Sequence, residues 1–213
     1  MIKLKKVGNK KNKYSTAFSS GSLLFKESDA IINNISDPES FMKGEKIIDY
    51  SCIPINSEAS KKRMGREVTK RLMKLKAPQF IYQYRAGSRQ DKLLILFYAV
   101  CRTYRLISDF MLQTVLKKWH NLDIEINADD FKNFLYVQMD KHPELENLTP
   151  LTIKNRSSTV IRMLKELGLI KDGKLSRNEY NPAILKRIVA NGDAWFLEVL
   201  LLNQQERDEI MQL

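Results

Sequence analysis

Lys62, Arg66, Lys70 and Lys74 recur every four residues, with Arg63 and Arg71 beside them and only Glu67 between. On a helix this spacing aligns the cations on one face, where each like-charged pair costs about 0.2–0.5 kcal/mol. Two uses fit such a stripe: contact with the phosphates of a polyanion, or a solvated face. A second set, Lys154, Asn155, Ser158, Arg162 and Lys165, mixes long cations with short hydrogen-bonding groups. That mixture suits phosphate oxygens and base edges. Lys171 and Lys174 flank the turn dipeptide Asp172-Gly173 and complete the candidate binding residues.

Other chemistry finds little support. Two cysteines, Cys52 and Cys101, cannot build a disulfide scaffold or a four-thiolate zinc site, and apolar neighbours suit them to plain buried thiols. Two histidines make metal catalysis a poor expectation. Trp119-His120 at a helix end reads as packing plus a surface imidazole. Asp129-Asp130 falls where acids stabilise a helix N-terminus. Glu206, Asp208 and Glu209 form an acidic end suited to a partner protein. The chain has no Walker-type glycine loop, no His-Glu-x-x-His and no Gly-x-Ser-x-Gly. The expectation is therefore a binding protein with no catalytic residues, no metal, no cofactor and no small-molecule substrate.

The charge distribution sharpens this. Of the 213 residues, 36 are Lys or Arg and 25 are Asp or Glu, a net charge of +11. Residues 1–76 carry +9, residues 77–149 are neutral, residues 150–190 carry +6 and the remainder −4. Two basic islands around a neutral middle are the pattern of a polyanion surface built from two elements, although solvated lysines alone would also give it. An apolar fraction of 43% supports a packed core. The longest apolar run, Leu93 to Cys101, is nine residues against the roughly 20 of a membrane span. The lysine-rich start lacks the apolar stretch of a signal peptide, and a cytoplasmic location is expected.

These side chains need helices to hold them. Residues 1–13, with Lys3, Lys5, Lys6, Lys10, Lys11 and Lys13, read as a flexible basic tail. The spacing predicts a helix from about Ser20 to Ile35. Asp37-Pro38-Glu39 starts a second, carrying Phe41, Ile47 and Ile48 up to Cys52-Ile53-Pro54. Ser57 caps a third from Glu58 to about Leu75, with Met64, Val68, Leu72 and Leu75 inward. A short helix spans Pro78 to Tyr84. Ser88 and Asp91 cap a fifth, so broadly apolar that it must be central. A further helix is predicted from Ser108 to Trp119.

Asp123 to Ile126 alternates like an edge strand, and Asn127 caps the helix through Phe131, Phe134 and Met139. Thr149-Pro150 opens the next, whose inward line is Ile153, Ser157, Val160, Ile161, Leu164 and Leu167. Gly168 ends it, and Leu169-Ile170, Lys171 to Lys174 and Leu175 read as a tight hairpin. Asn181-Pro182 caps a last helix, Ala183 to Val189, before the apolar stretch Ala194 to Leu202. Helix, connection, helix and hairpin is the order of a winged helix-turn-helix, whose second helix enters a DNA major groove while the hairpin meets flanking phosphates. Winged helices also serve as protein-binding modules. The fold class is thus mainly α, with a helix-turn-helix-like N-terminal part (14–105) and a winged-helix-like C-terminal part (106–213) bearing a short β-hairpin.

Tyr14-Ser15-Thr16-Ala17-Phe18, then Gly21-Ser22-Leu23-Leu24 and Glu27-Ser28, resembles the opening of the BrxA family of bacteriophage-exclusion (BREX) defence systems. Overall size, the basic third helix ending in Arg71-Leu72 and the winged-helix-like unit support the resemblance, which leaves out residues 1–13. It implies a small, mostly helical cytoplasmic protein without enzymatic activity that binds double-stranded DNA. Its partners would be other BREX proteins, a defence methyltransferase and large ATPase-type components among them. The family's fold has also been likened to an RNA-binding antitermination factor. Two alternatives to DNA binding follow: an assembly adaptor of the defence complex, and an RNA-binding protein, for which the chain offers no aromatic platform motif.

Overall fold

Leu24 decides where the first helix begins. In the computed structural model, which describes residues 13–18, 21–45 and 48–212, this residue is left-handed (φ 56°) and α1 runs Phe25–Asn34. The predicted helix thus loses its first turn, and Leu23 and Leu24 are buried from the segment ahead of it. Ser20, Ile47 and the tail lysines from Lys3 to Lys11 lie outside the described residues. The second helix is also shorter than its apolar residues suggest. The Asp37 carboxylate accepts the Glu39 and Ser40 N–H groups at 3.1 and 3.2 Å to open α2 (Pro38–Lys43). Gly44, at φ 75°, then closes it by donating to the Phe41 and Ser40 carbonyls.

Ser57 caps α3 (Glu58–Met73), and α4 (Gln79–Ala86) follows the Ala77-Pro78 break. Ser88 and Asp91 exchange both bonds of a capping box at the start of α5 (Arg89–Thr103). Every residue from Leu93 to Cys101 is buried. α5 packs on α3 and α4 and also on α6 (Arg105–Phe110) and α9 (Pro150–Leu167), so one apolar core crosses residue 105 without a break. The helix expected from Ser108 begins at Arg105. It continues through a π turn, Met111–Val115, into α7 (Leu116–His120).

Asn127 caps α8 (Ala128–Met139), its N–H donating to Asp130 at 2.8 Å while its side chain accepts from Asp129 at 2.8 Å. α8 lies against α9, and Gly168, at φ 86°, ends α9. The antiparallel strands β1 (Ile170–Lys171) and β2 (Lys174–Leu175) follow, in the register Ile170 opposite Leu175. Asp172 and Gly173 both have positive φ, as a two-residue hairpin turn of this hand requires. The predicted edge strand is present as one bridge, Glu125 to Lys174, with Ile126 N–H donating to Gly173 and Leu175 N–H to Ile124.

The chain closes with α10 (Pro182–Ala190), α11 (Phe196–Val199) and α12 (Gln204–Gln212). Phe196 meets the Tyr98 ring edge-on at 5.0 Å, returning the C-terminal part to the central helix. Among the described residues no helix is long and apolar enough to cross a membrane.

Candidate nucleic-acid interface

α3 has three faces. Val68 and Leu72 point into the core, and Gly65 is covered so closely by the Tyr50 ring that a Cβ there would fall 2.2 Å from it. Lys62, Arg63, Arg66, Lys70 and Lys74 are all exposed, and none of them enters an ion pair among the described residues. Lys62, Arg63, Arg66 and Lys70 line one groove with Ala17, and Arg66, Lys70 and Lys74 line another with Tyr50. Lys70 leans inward, its Nζ 4.7 Å above the Tyr104 ring.

Arg71 does not belong to this stripe. It is 3% exposed, its Nε donating to Glu67 at 2.6 Å and its Nη1 to the Ser22 carbonyl at 2.8 Å. Glu67 also accepts the Tyr104 hydroxyl at 2.5 Å. Burial, then the Glu67 bond, raises Tyr104 well above the ordinary tyrosine range, so the hydroxyl stays a donor. Arg71 is therefore an internal ion-pair partner rather than a phosphate contact, and the partly buried Glu67 lines the groove beside the stripe cations.

α9 divides more simply. Ile153, Ser157, Val160, Ile161, Leu164 and Leu167 are buried. Lys154, Asn155, Ser158, Arg162 and Lys165 are exposed, as their helical phase requires. Ser158, Arg162 and Lys165 line a groove with Asn127 and with Gly173 of the hairpin. Lys171 and Lys174, exposed on either side of the turn, put two more cations at its margin.

The segment before α1 joins the two helices. Arg71 of α3 holds the Ser22 carbonyl, while Glu166 of α9 accepts the Ser22 hydroxyl and, at 3.1 Å, the Leu23 N–H. Arg156 of α9 covers the Phe18 ring at 5.7 Å, and Phe18 meets Tyr104 edge-on at 5.4 Å. Burial depresses the Arg156 pKa, and its Nε is buried with no partner among the described residues. Met64 of α3 and Arg162 of α9 line one and the same cavity with Gly21 and Ser22, while the α3 cations line their own grooves.

Sequence reasoning missed Arg156 and the two residues that flank this cavity, Phe25 and Arg89, whose guanidinium lies 4.5 Å from the Phe25 ring centre. Their partners are remote in sequence, and no local pattern announces them. The other candidate chemistry is structural. Asp129 and Asp130 cap α8 and pair with Lys132 and Lys118 at 3.7 and 3.3 Å. Burial raises the thiol pKa of Cys101 far above its usual value and that of half-buried Cys52 less, and both are free. Among the described residues no group of three or more His, Cys, Asp or Glu could hold a metal ion.

A crystal structure of an uncharacterized protein from Magnetospirillum magneticum has the same fold, with a TM-score of 0.72 over 89% of this chain and 98% of that one. Sequence identity is 18%, so the likeness concerns the fold alone. No curated protein matches the chain. The BrxA family model matches residues 12–192, beginning where the lysine-rich tail ends and taking in both basic helices, the joining segment and the hairpin. The chain therefore belongs to the BrxA family.

Proposed function

We propose that this BrxA-family protein is a non-enzymatic, double-stranded DNA-binding component of a bacterial BREX phage-defence system. One observation carries the reading: α3 and α9, from separate basic islands of the sequence, each expose a row of cations that enter no ion pair among the described residues, and Met64 of α3 and Arg162 of α9 line one cavity. In this reading α8, α9 and the hairpin, with its bridged strand at Glu125, act as a winged helix. α9 enters the major groove, Lys171 and Lys174 touch flanking phosphates, and Asn155 and Arg162 face base edges. The α3 stripe holds the backbone alongside.

Counterion release would dominate the affinity. With about six phosphates neutralised, log K should fall with log[salt] at a slope near −5. Titrating labelled duplex at several salt concentrations measures that slope. A flat response, or no binding at low salt, would remove the proposal. Competition by structured RNA would move it to RNA, and one incubation with divalent metal would expose any cleavage.

The family also points to other defence-system proteins as partners. The acidic stretch on α12, where Glu206 holds Arg177 while Asp208 and Glu209 are, among the described residues, hydrogen-bonded only within the helix, offers charge for such contacts. Co-purification that survives nuclease treatment would make assembly the leading role.

A further inference from the structure

The cavity between α3, α9 and the start of α1 has a composition that backbone binding does not require. It encloses about 540 Å³, within the roughly 300–1,000 Å³ of small-ligand pockets. Its floor is apolar, formed by Leu24, Phe25, Met64 and Leu93. Three cations from three elements stand on its rim: Lys26 on α1, Arg89 on α5 and Arg162 on α9. None of these cations enters an ion pair among the described residues.

Two carboxylates share the lining and differ in their use. Glu166 is committed to Ser22 and the Leu23 N–H. Glu27 has no such bond among the described residues and is left to accept from a ligand. The walls are fixed, because Gly21 to Leu23 are clamped to α3 by Arg71 and to α9 by Glu166. The Phe25 ring, with the Arg89 guanidinium 4.5 Å from its centre, and the apolar side chains around it offer contact to an aromatic ring. Unpaired guanidinium and ammonium groups at the rim are what a phosphate needs.

We propose that this cavity binds a single nucleotide, its base over Phe25 and Met64, its phosphate held by Arg89 and Arg162, and Glu27 accepting from the base edge. Guanine fits best, because its unpaired edge offers two adjacent N–H donors to one carboxylate. The nucleotide comes either free in solution or as an unpaired residue of bound DNA. The inference extends the proposed duplex face, with which it shares Arg162, but its floor residues take no part in duplex binding.

Equilibrium dialysis of guanosine 5′-monophosphate against the full chain tests it, with ribose 5-phosphate as competitor. The expected result is saturation at one per chain and no competition by ribose 5-phosphate. Arg89→Ala and Phe25→Ala should each weaken binding by ~10-fold or more. Met64→Trp, which fills the cavity from the half-exposed side of α3, should abolish binding and covers the case in which Phe25→Ala unfolds. A second arm compares a blunt duplex with one bearing a single unpaired terminal guanosine. Tighter binding of the latter, lost in Phe25→Ala, assigns the nucleotide to DNA; binding of the monophosphate alone assigns it to the free pool.

Absence of both effects overturns the inference, as does ribose 5-phosphate competing equally. Failure of both arms with blunt-duplex binding intact would sink the cavity alone. Loss of blunt-duplex binding with the monophosphate still bound would sink the duplex proposal alone.

Discussion

α3 and α9 are both long basic helices, and they keep their charge in different ways. α9 sets an apolar face inside and a polar one outside, with Arg156 and Glu166 at the border turned to the segment before α1, and among the described residues it makes no buried ion pair. α3 carries its exposed stripe beside an inward cluster in which Glu67 accepts from both Arg71 and Tyr104, while Arg71 Nη2 is buried with no partner among the described residues. Arginines five positions apart, Arg66 and Arg71, therefore have opposite environments. A charge exposed to solvent is available to a ligand, as the proposed duplex binding requires, whereas a charge buried beside its counter-ion is spent inside the fold.

Removing the buried charge should have the largest effect. Arg71→Met leaves the half-buried Glu67 with only its Tyr104 bond and frees the Ser22 carbonyl, and should destabilise the fold by about 2–4 kcal/mol in urea unfolding. Arg66→Met should stay within about 0.5 kcal/mol. Equal losses would show that the two arginines had been wrongly separated.

Reversing the exposed stripe should reverse the pattern, with stability little changed and binding impaired. Lys62→Glu with Arg66→Glu should weaken all duplexes alike, by about tenfold or more at low salt, and should flatten the salt slope by nearly 2. Unchanged binding would identify a solvated face.

On α9 the expected loss is smaller and selective. Asn155→Ala or Arg162→Ala should cost about 1–3 kcal/mol on preferred sequences and less on others, read by binding to a randomised duplex pool. Loss that is uniform across the pool would assign these side chains to phosphate.

The smallest effect is the pH response. Burial, then the bond to Asp193, pushes Tyr98 from 10.0 up to about 12. Below pH 10 both folded and unfolded chains keep this proton, and the stabilisation is fully present. As pH rises from about 10 to 12 the unfolded chain releases it first, so stability falls. Burial raises Tyr84, Tyr104 and Tyr180 in the same direction. Urea unfolding across that interval should show the decline, and Tyr98→Phe should make it shallower.

Much of this was legible where local rules suffice. The caps at Asp37, Ser57, Ser88, Asn127 and Thr149 follow from short-range hydrogen bonding, and each stands where its residue type predicts. The outward and inward lines of α9 follow from helical phase. Two helix ends were misread because glycine at 44 and a left-handed Leu24 override apolar spacing. The inward turn of Arg71 depends on Ser22, 49 residues away, and Arg89 on Phe25, so neither was visible in a window of one helix. The cavity lined by both α3 and α9 is a tertiary property of the same kind.

That one duplex meets the cations of both helices is the central proposal, and cross-linking tests it most directly. A photoreactive side chain is placed at Arg63 on α3 or at Ser158 on α9, each with the same end-labelled duplex of about two turns. Both positions should cross-link in a one-to-one complex, and both yields should fall together as salt rises. Cross-linking from one helix only, or from both with no response to salt, would contradict a single duplex-binding surface.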